Sequence, residues 1–197
     1  MFTGIIAGTG RLEALTRRDG EARAQIATGQ LDLSDVRLGD SIAVNGVCLT
    51  VAALDANGFQ ADISAETLTR TTFSSLGPSS QLNLEKSVTP VTRLGGHLVS
   101  GHVDGTATVL ERVPSAQSLR LTFKLPATLA KYVAEKGSIC IDGVSLTVNT
   151  VTGAVFEVNL VPHTLQETTL GSLSQGDSVN IEVDMIARYL ERLQTCH

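Results

Sequence analysis

Residues 44–51 read VNGVCLTV and residues 141–148 read IDGVSLTV. The cysteine of the first and the serine of the second are 145 − 48 = 97 positions apart. The same offset lays GIIAGT (4–9) on GHVDGT (101–106), TLTRTTF (67–73) on TLQETTL (164–170) and LNLE (82–85) on VNIE (179–182). It aligns the whole span 2–86 without a gap, with about a quarter of the positions identical. A fixed period is the strongest constraint a sequence places on its fold. This one is too long for a solenoid repeat and matches a small domain. The chain therefore reads as two homologous domains, 1–93 and 94–184, followed by a tail, 185–197, with the boundary near TPVTRLGG.

Each half reads as β. SLRLTFKL (118–125) alternates Leu119, Leu121, Phe123 and Leu125 with Arg120, Thr122 and Lys124, the period of a half-buried strand. EARAQIAT (21–28), FQADIS and FEVNLV alternate in the same way. About six strand candidates per half suit a small closed antiparallel barrel. PATLAKYVAEKG begins with proline and ends at Gly137, which predicts a helix. So does DMIARYLERLQ (184–194), where Asp184 is a plausible cap and Ile186, Tyr189, Leu190 and Leu193 share a face. That stripe packs either on its own domain or on another subunit, and the pattern does not choose.

Composition excludes several classes. The 197 residues are 42% hydrophobic, enough for a packed core, yet no apolar run nears the ~20 residues of a membrane span. MFTGIIAGTG has no basic segment and reads as no signal peptide. Three cysteines without a CxxC spacing argue against a disulfide framework or zinc ribbon and fit a reducing cytoplasm. A net charge of −5 without a basic run disfavours nucleic acid, as does the scarcity of aromatic stacking residues. GxxxxGK[ST] and GxGxxG are both missing, against nucleoside triphosphates and Rossmann cofactors.

Cys48 reads either as a small buried hydrophobe or as part of a site. Its mate Ser145 is polar, and a hydroxyl facing a packed core would need a partner, so both facing a cavity is the simpler reading. His97 and His102 are five apart, which in a regular strand puts them on opposite faces and disfavours a shared metal. His102 falls on Ile5 and His163 on Glu66, so neither histidine is duplicated, and His102 marks one of two former equals as different. Histidine is the side chain best suited to moving protons near neutral pH. His163 also reads as merely exposed, and terminal His197 more so. SAETLTRTTF and VPHTLQETTL supply hydroxyls, Glu66 and His163, either as turn and cap chemistry or as a rim for a polyhydroxylated ligand. A flat ring would then lie between aliphatic walls such as Ile6, Val103 and Leu165.

MFTGII, GDSIAVNGVCLTV, LNLEKS, GGHLVSGHVDG, KGSICIDGVSLTV and VPHTLQETTL resemble the signature segments of the riboflavin synthase family, alpha-type chain, in the expected order from Met1 to about Leu193. The resemblance implies an all-β protein of two closed six-stranded antiparallel Greek-key barrels with short helices, plus a C-terminal helix that builds a homotrimer. It implies a transferase without cofactor or metal, cytoplasmic, acting on two molecules of 6,7-dimethyl-8-ribityllumazine per active site. A four-carbon unit passes between them, giving riboflavin and 5-amino-6-ribitylaminouracil. The site would lie between the first barrel of one subunit and the second barrel of the next. The resemblance admits association with lumazine synthase, and implies no nucleic-acid or membrane partner.

The family pattern lines a first pocket with Gly4, Ile5 and Ile6, with Val47, Cys48 and Leu49, and with the run Asp62, Ile63, Ser64, Ala65, Glu66 and Thr67. It lines a second with Gly101, His102 and Val103, with Lys136, with Ser145, Leu146 and Thr147, and with Val161, Pro162, His163, Thr164, Leu165 and Gln166. The C7 methyl of the lumazine is acidic because its anion delocalises into the ring. His102 with Thr147 or Ser145 is the first choice of base. Cys48, Ser41 and Thr50 are candidates to activate the acceptor, with Asp142 in support across the subunit interface. The rival is an antenna-type protein that binds lumazine or flavin without turning it over. Such proteins lose the histidine-bearing segment, which stands whole here as GGHLVSGHVDG.

Overall fold

A computed structural model describes residues 1–195. The expectation for His197 lies outside the described residues. Twelve strands close into two barrels. The first comprises β1 (Gly8–Arg18), β2 (Glu21–Ala27), β3 (Ser41–Val44), β4 (Val47–Leu54), β5 (Gly58–Ile63) and β6 (Gln81–Lys86), in the order β1-β2-β5-β4-β3-β6. The second comprises β7 (Gly105–Ser115), β8 (Ser118–Lys124), β9 (Ser138–Ile141), β10 (Val144–Thr152), β11 (Val155–Leu160) and β12 (Ser178–Val183). Its order is the same when each strand is matched to its mate, and every pairing is antiparallel. The all-β, duplicated-barrel expectation therefore holds. Closure leaves no edge strand exposed.

Alternation sets each core. Val47, Leu49 and Val51 of β4 point into the first barrel beside Ile26, Phe59 and Leu84. Leu119, Leu121 and Phe123 of β8 point into the second, where Phe123 stacks on Phe156 at 5.3 Å. A short helix packs on each core: α1 (Ala65–Arg70) through Leu68 in the first and α2 (Pro162–Glu167) through Leu165 in the second. Cap chemistry starts α1, because Ser64 Oγ accepts the N–H of Thr67 at 3.2 Å. The helix predicted over PATLAKYVAEKG is a single 3-10 turn, Ala130–Tyr132. Leu125, Leu129 and Val133 all plug the second core, and the chain must stay drawn out across the barrel end to place them.

The barrels meet about a local two-fold axis. Phe2 and Val99, themselves mates, form an antiparallel bridge with reciprocal N–H···O bonds of 2.7 and 3.1 Å. Around them Ala43, Cys140 and half-buried Cys48 form a third, small core. Polar clamps repeat by the same symmetry. Asn83 Nδ2 donates to the Asp142 carbonyl and Asn180 Nδ2 to the Asn45 carbonyl, both at 2.9 Å.

The last helix, α3 (Met185–Thr195), starts where Asp184 Oδ1 accepts the Ile186 N–H at 3.0 Å. Arg188 pairs with Asp104, and Glu191 with Lys131 and Tyr132. The apolar stripe does not pack on its own chain: Ile186, Tyr189, Leu190 and Leu193 are 54–70% exposed. No described helix is long and apolar enough to cross a membrane.

Candidate active site

Two short arms, Thr3–Ile6 and Ser100–Val103, build the site. A buried glutamate at the end of a strand shapes each one. Glu85 of β6 accepts the N–H groups of Thr3 and Gly4 and the Thr3 hydroxyl, at 2.7–3.0 Å. Glu182 of β12 accepts the N–H groups of Ser100, Gly101 and His102, at 2.6–2.9 Å. Burial pushes both carboxyls up from their ordinary range, while the donated N–H groups pull the other way.

Each arm lies on the barrel that does not own it. Cys48 N–H donates to the Gly101 carbonyl at 2.9 Å, and Ser145 N–H to the Gly4 carbonyl at 2.8 Å. Val103 packs on the first core and Ile6 on the second. Gly4 and Gly101 adopt φ of +76° and +80°, the left-handed region open to glycine. A Cβ at Gly101 would stand 2.6 Å from Cys48 Cβ, and one at Gly4 2.5 Å from Ser145 Cβ.

This crossing corrects the expected grouping. Gly4 and Ile6 belong with Ser145 and Leu165 at the second barrel, not with Cys48. Gly101, His102 and Val103 belong with Val47 and Cys48 at the first. Within one chain His102 is therefore not brought to Ser145 or Thr147. The Phe2–Val99 bridge is the physical reason, because it carries each arm past the axis to the opposite barrel.

The first mouth is an open cavity of about 370 Å³. It gathers Val47 and Cys48 from β4, Glu66 and Thr67 from α1, and Gly101, His102 and Val103 from the crossed arm. His102 is exposed there. Cys48 lies between seam and mouth, so it is neither wholly core nor wholly site.

The other expected residues are placed as follows. Ser41 and Thr50 face each other across the β3–β4 ladder, Ser41 half-buried and Thr50 exposed. Leu49 and Ile63 point into the core and offer a ligand only backbone. Asp62 turns outward to a two-pronged pair with Arg23 at 2.7 and 2.8 Å, which lowers its carboxyl. Ser64 and Ala65 begin α1, both exposed. At the second barrel Val161, Pro162, His163 and Gln166 are exposed, with Ile5, while Thr164 and Leu165 are half-buried. Leu146 packs against the second core and Thr147 is exposed. Lys136 sits exposed in a left-handed turn, its N–H bonded to the Val148 carbonyl at 2.8 Å.

Asp142 departs most from expectation. It is buried in the seam between barrels, where its Oδ1 accepts the Asn180 N–H at 2.7 Å. Burial pushes its carboxyl up to about 7. It has no surface role at a subunit interface. Its mate Asn45 makes the matching bond to Asn83 N–H, also at 2.7 Å.

Sequence reasoning missed Arg70, Thr71, Asp104 and Arg188 at the first mouth. Arg70 was open to inference: it follows Glu66 by four and pairs with it at 2.9 Å. Arg188 lies outside the repeat, so no register mate flags it. His97, weighed only as a metal ligand, instead has Nδ1 2.7 Å from Ser145 Oγ. Among the described residues no three His, Cys, Asp or Glu side chains converge as a metal site would require.

Fold and arms together define a duplicated β-barrel protein with an open mouth at its first barrel. A family model, the lumazine binding domain, matches it twice, at residues 3–87 and 100–184. Riboflavin synthase of Photobacterium phosphoreum is 50% identical over 193 residues, covering 98% of this chain and 88% of that one. Riboflavin synthase of Mycobacterium bovis is 47% identical over 198 residues, covering 98% of each. Among solved structures, LumP complexed with riboflavin superposes with a TM-score of 0.87 at 28% identity, covering 93% of this chain and all of the other. LumP complexed with 6,7-dimethyl-8-(1'-D-ribityl) lumazine gives 0.85 at 28% identity, covering 93% of this chain and 99% of that one. The chain belongs to the riboflavin synthase family.

Proposed function

We propose that this protein makes riboflavin by dismutation of two molecules of 6,7-dimethyl-8-ribityllumazine, with 5-amino-6-ribitylaminouracil as the second product. The duplicated barrel carries this reading: two domains of common origin suit two copies of one substrate. The two substrates account for every atom of the two products, so the stoichiometry closes without oxidant or reductant. LumP, which the same fold relates to this chain, is seen with both lumazine and riboflavin.

In the reaction, aliphatic walls hold each flat ring, Val103 at the first barrel and Ile6 with Leu165 at the second. Glu66 and Thr67, or His163 and Thr164, bond the ribityl hydroxyls. His102 takes the proton from the C7 methyl of the lumazine in the first mouth, and Cys48 stands beside that ring. Ser145 and Thr147 face the second ring. Most of the acceleration comes from holding the two rings in register, since orientation alone supplies roughly 7–11 kcal/mol.

The first mouth of one subunit faces the second of the next in a homotrimer, with α3 at the contact. The exposed stripe on α3 supports this, because a soluble chain rarely leaves such an apolar face bare. Cys48 and Cys140 pack in one cluster as free thiols, in keeping with a reducing cytoplasm.

Incubating the purified protein with dimethylribityllumazine alone tests the reading. Riboflavin absorbance should appear with two lumazines consumed per flavin. Binding without conversion would favour the antenna-type alternative.

A further inference from the structure

Cys48 and Ser145 are mates whose N–H groups make matching bonds to crossed arms, yet their side chains meet different surroundings. The linker between barrels turns back over Ser145 alone. His97 N–H donates to the Thr3 carbonyl at 3.1 Å, and its ring reaches Ser145 Oγ at 2.7 Å. The approach is tight: a Cβ at Gly96 would lie 2.8 Å from that oxygen.

We infer that His97 is a positioning residue for Ser145, holding the serine oxygen so that its hydroxyl proton points to an acceptor atom of the ligand at the second barrel. This rests on the reading of that barrel as a lumazine site. The direction of the bond follows from the far side of the ring. His97 Nε2 is buried and has no hydrogen-bond partner among the described residues. An orphaned N–H there would cost more than a bare lone pair, and buried N–H orphans are rare. The proton therefore sits on Nδ1 and donates to Ser145 Oγ. Burial also depresses the imidazole's pKa, outweighing the pull of nearby Asp184, so the ring stays neutral near pH 7.

A hydroxyl has one proton to give. With its oxygen already accepting from His97, that proton is free for the ligand. The pair is thus not a serine nucleophile with its base, which would need the ring to accept. It is a fixed donor aimed at the negative charge that the second lumazine ring takes up when the anion of the first attacks it. The thiol of Cys48, a weak donor, does not match it at the first mouth.

Two measurements on the full chain test this. First, ¹⁵N NMR of the wild-type protein should find His97 protonated at Nδ1; protonation at Nε2 overturns the inference, and no variant is needed. Second, His97→Ala should lower kcat about tenfold to a hundredfold, the cost of letting a reacting group drift by about 1 Å, with little change in KM. His97→Asn, which keeps an N–H near the Nδ1 position, should recover part of the loss. In a Ser145→Ala background, His97→Ala should add less than about twofold, because the group it positions is gone. Full additivity, or no rescue by asparagine, marks a merely structural tie and overturns the proposal. A wild-type protein that binds lumazine but makes no riboflavin would sink the proposed function instead, while the NMR result still judges His97.

Discussion

The N–H of Cys48 donates to the carbonyl of Gly101 at 2.9 Å, joining the first barrel to an arm of the second. The mates Ser145 and Gly4 repeat the bond in the other direction. Neither barrel owns its whole mouth. His102, which no repeat predicts, shares the first mouth with Cys48 only because the arm carrying it crosses the axis.

That crossing gives Gly101→Ala a large expected effect. The residue is left-handed at φ +80°, and a Cβ would meet Cys48 Cβ at 2.6 Å and the Phe2 ring at 2.9 Å. Strain and overpacking together should cost roughly 2–4 kcal/mol. Denaturant unfolding measures the loss. Lumazine affinity should fall as well, since the arm that carries His102 and Val103 is displaced. An alanine variant as stable as the parent would contradict the tight seam.

The duplication, the strand count, the capped C-terminal helix and the alternating cores were all legible in the sequence, because each follows from local periodicity or from the single 97-residue offset. The crossing was not. An offset says which residues are equivalent, and symmetry by itself leaves open whether Gly4 sits on its own barrel or its neighbour's. Asp142 was unreadable for a related reason. Its turn is a surface feature in one barrel alone and becomes interior only when two barrels pack. The predicted helix at 126–137 failed because Leu129 and Val133 are claimed by the second core.

Asp142 should make stability depend on pH. Its carboxyl is raised from 3.8 to about 7 in the folded protein. Between those values the folded state holds a proton that the unfolded state has lost, so stability falls as pH rises through the window and levels off above it. Asn45 already fills the equivalent place with a neutral side chain and the same acceptor. Asp142→Asn should therefore match wild type near pH 4 and exceed it above pH 7, by at most roughly 4 kcal/mol. Glu85 and Glu182 are shifted the same way in both proteins and cancel in the difference. Urea unfolding at pH 4, 6 and 8 gives the comparison; a difference independent of pH would refute the assignment.

His102 lies exposed at the first mouth, its backbone fixed by Glu182 and its side chain free to reach a ligand. His102→Gln keeps the arm and a polar tip but removes the base. Turnover should fall about 10²- to 10⁴-fold, the usual worth of general base catalysis, while lumazine affinity changes little. Steady-state kinetics with fluorescence titration separates the two. Unchanged turnover would rule out His102 as the base.

The α3 stripe makes the final prediction. One side of the helix is held by Arg188–Asp104 and by Glu191 with Lys131 and Tyr132, and the other leaves Ile186, Tyr189, Leu190 and Leu193 exposed. Deleting residues 185–197 should give monomers by light scattering that bind lumazine but turn it over poorly. The deletion also removes Arg188 from the first mouth, so a second variant is needed. Leu190→Lys with Leu193→Lys keeps Arg188 and spoils only the apolar face. Both variants should lose assembly and activity together, because one subunit's first mouth would no longer meet the next subunit's second. A fully active monomer from either would refute the shared site.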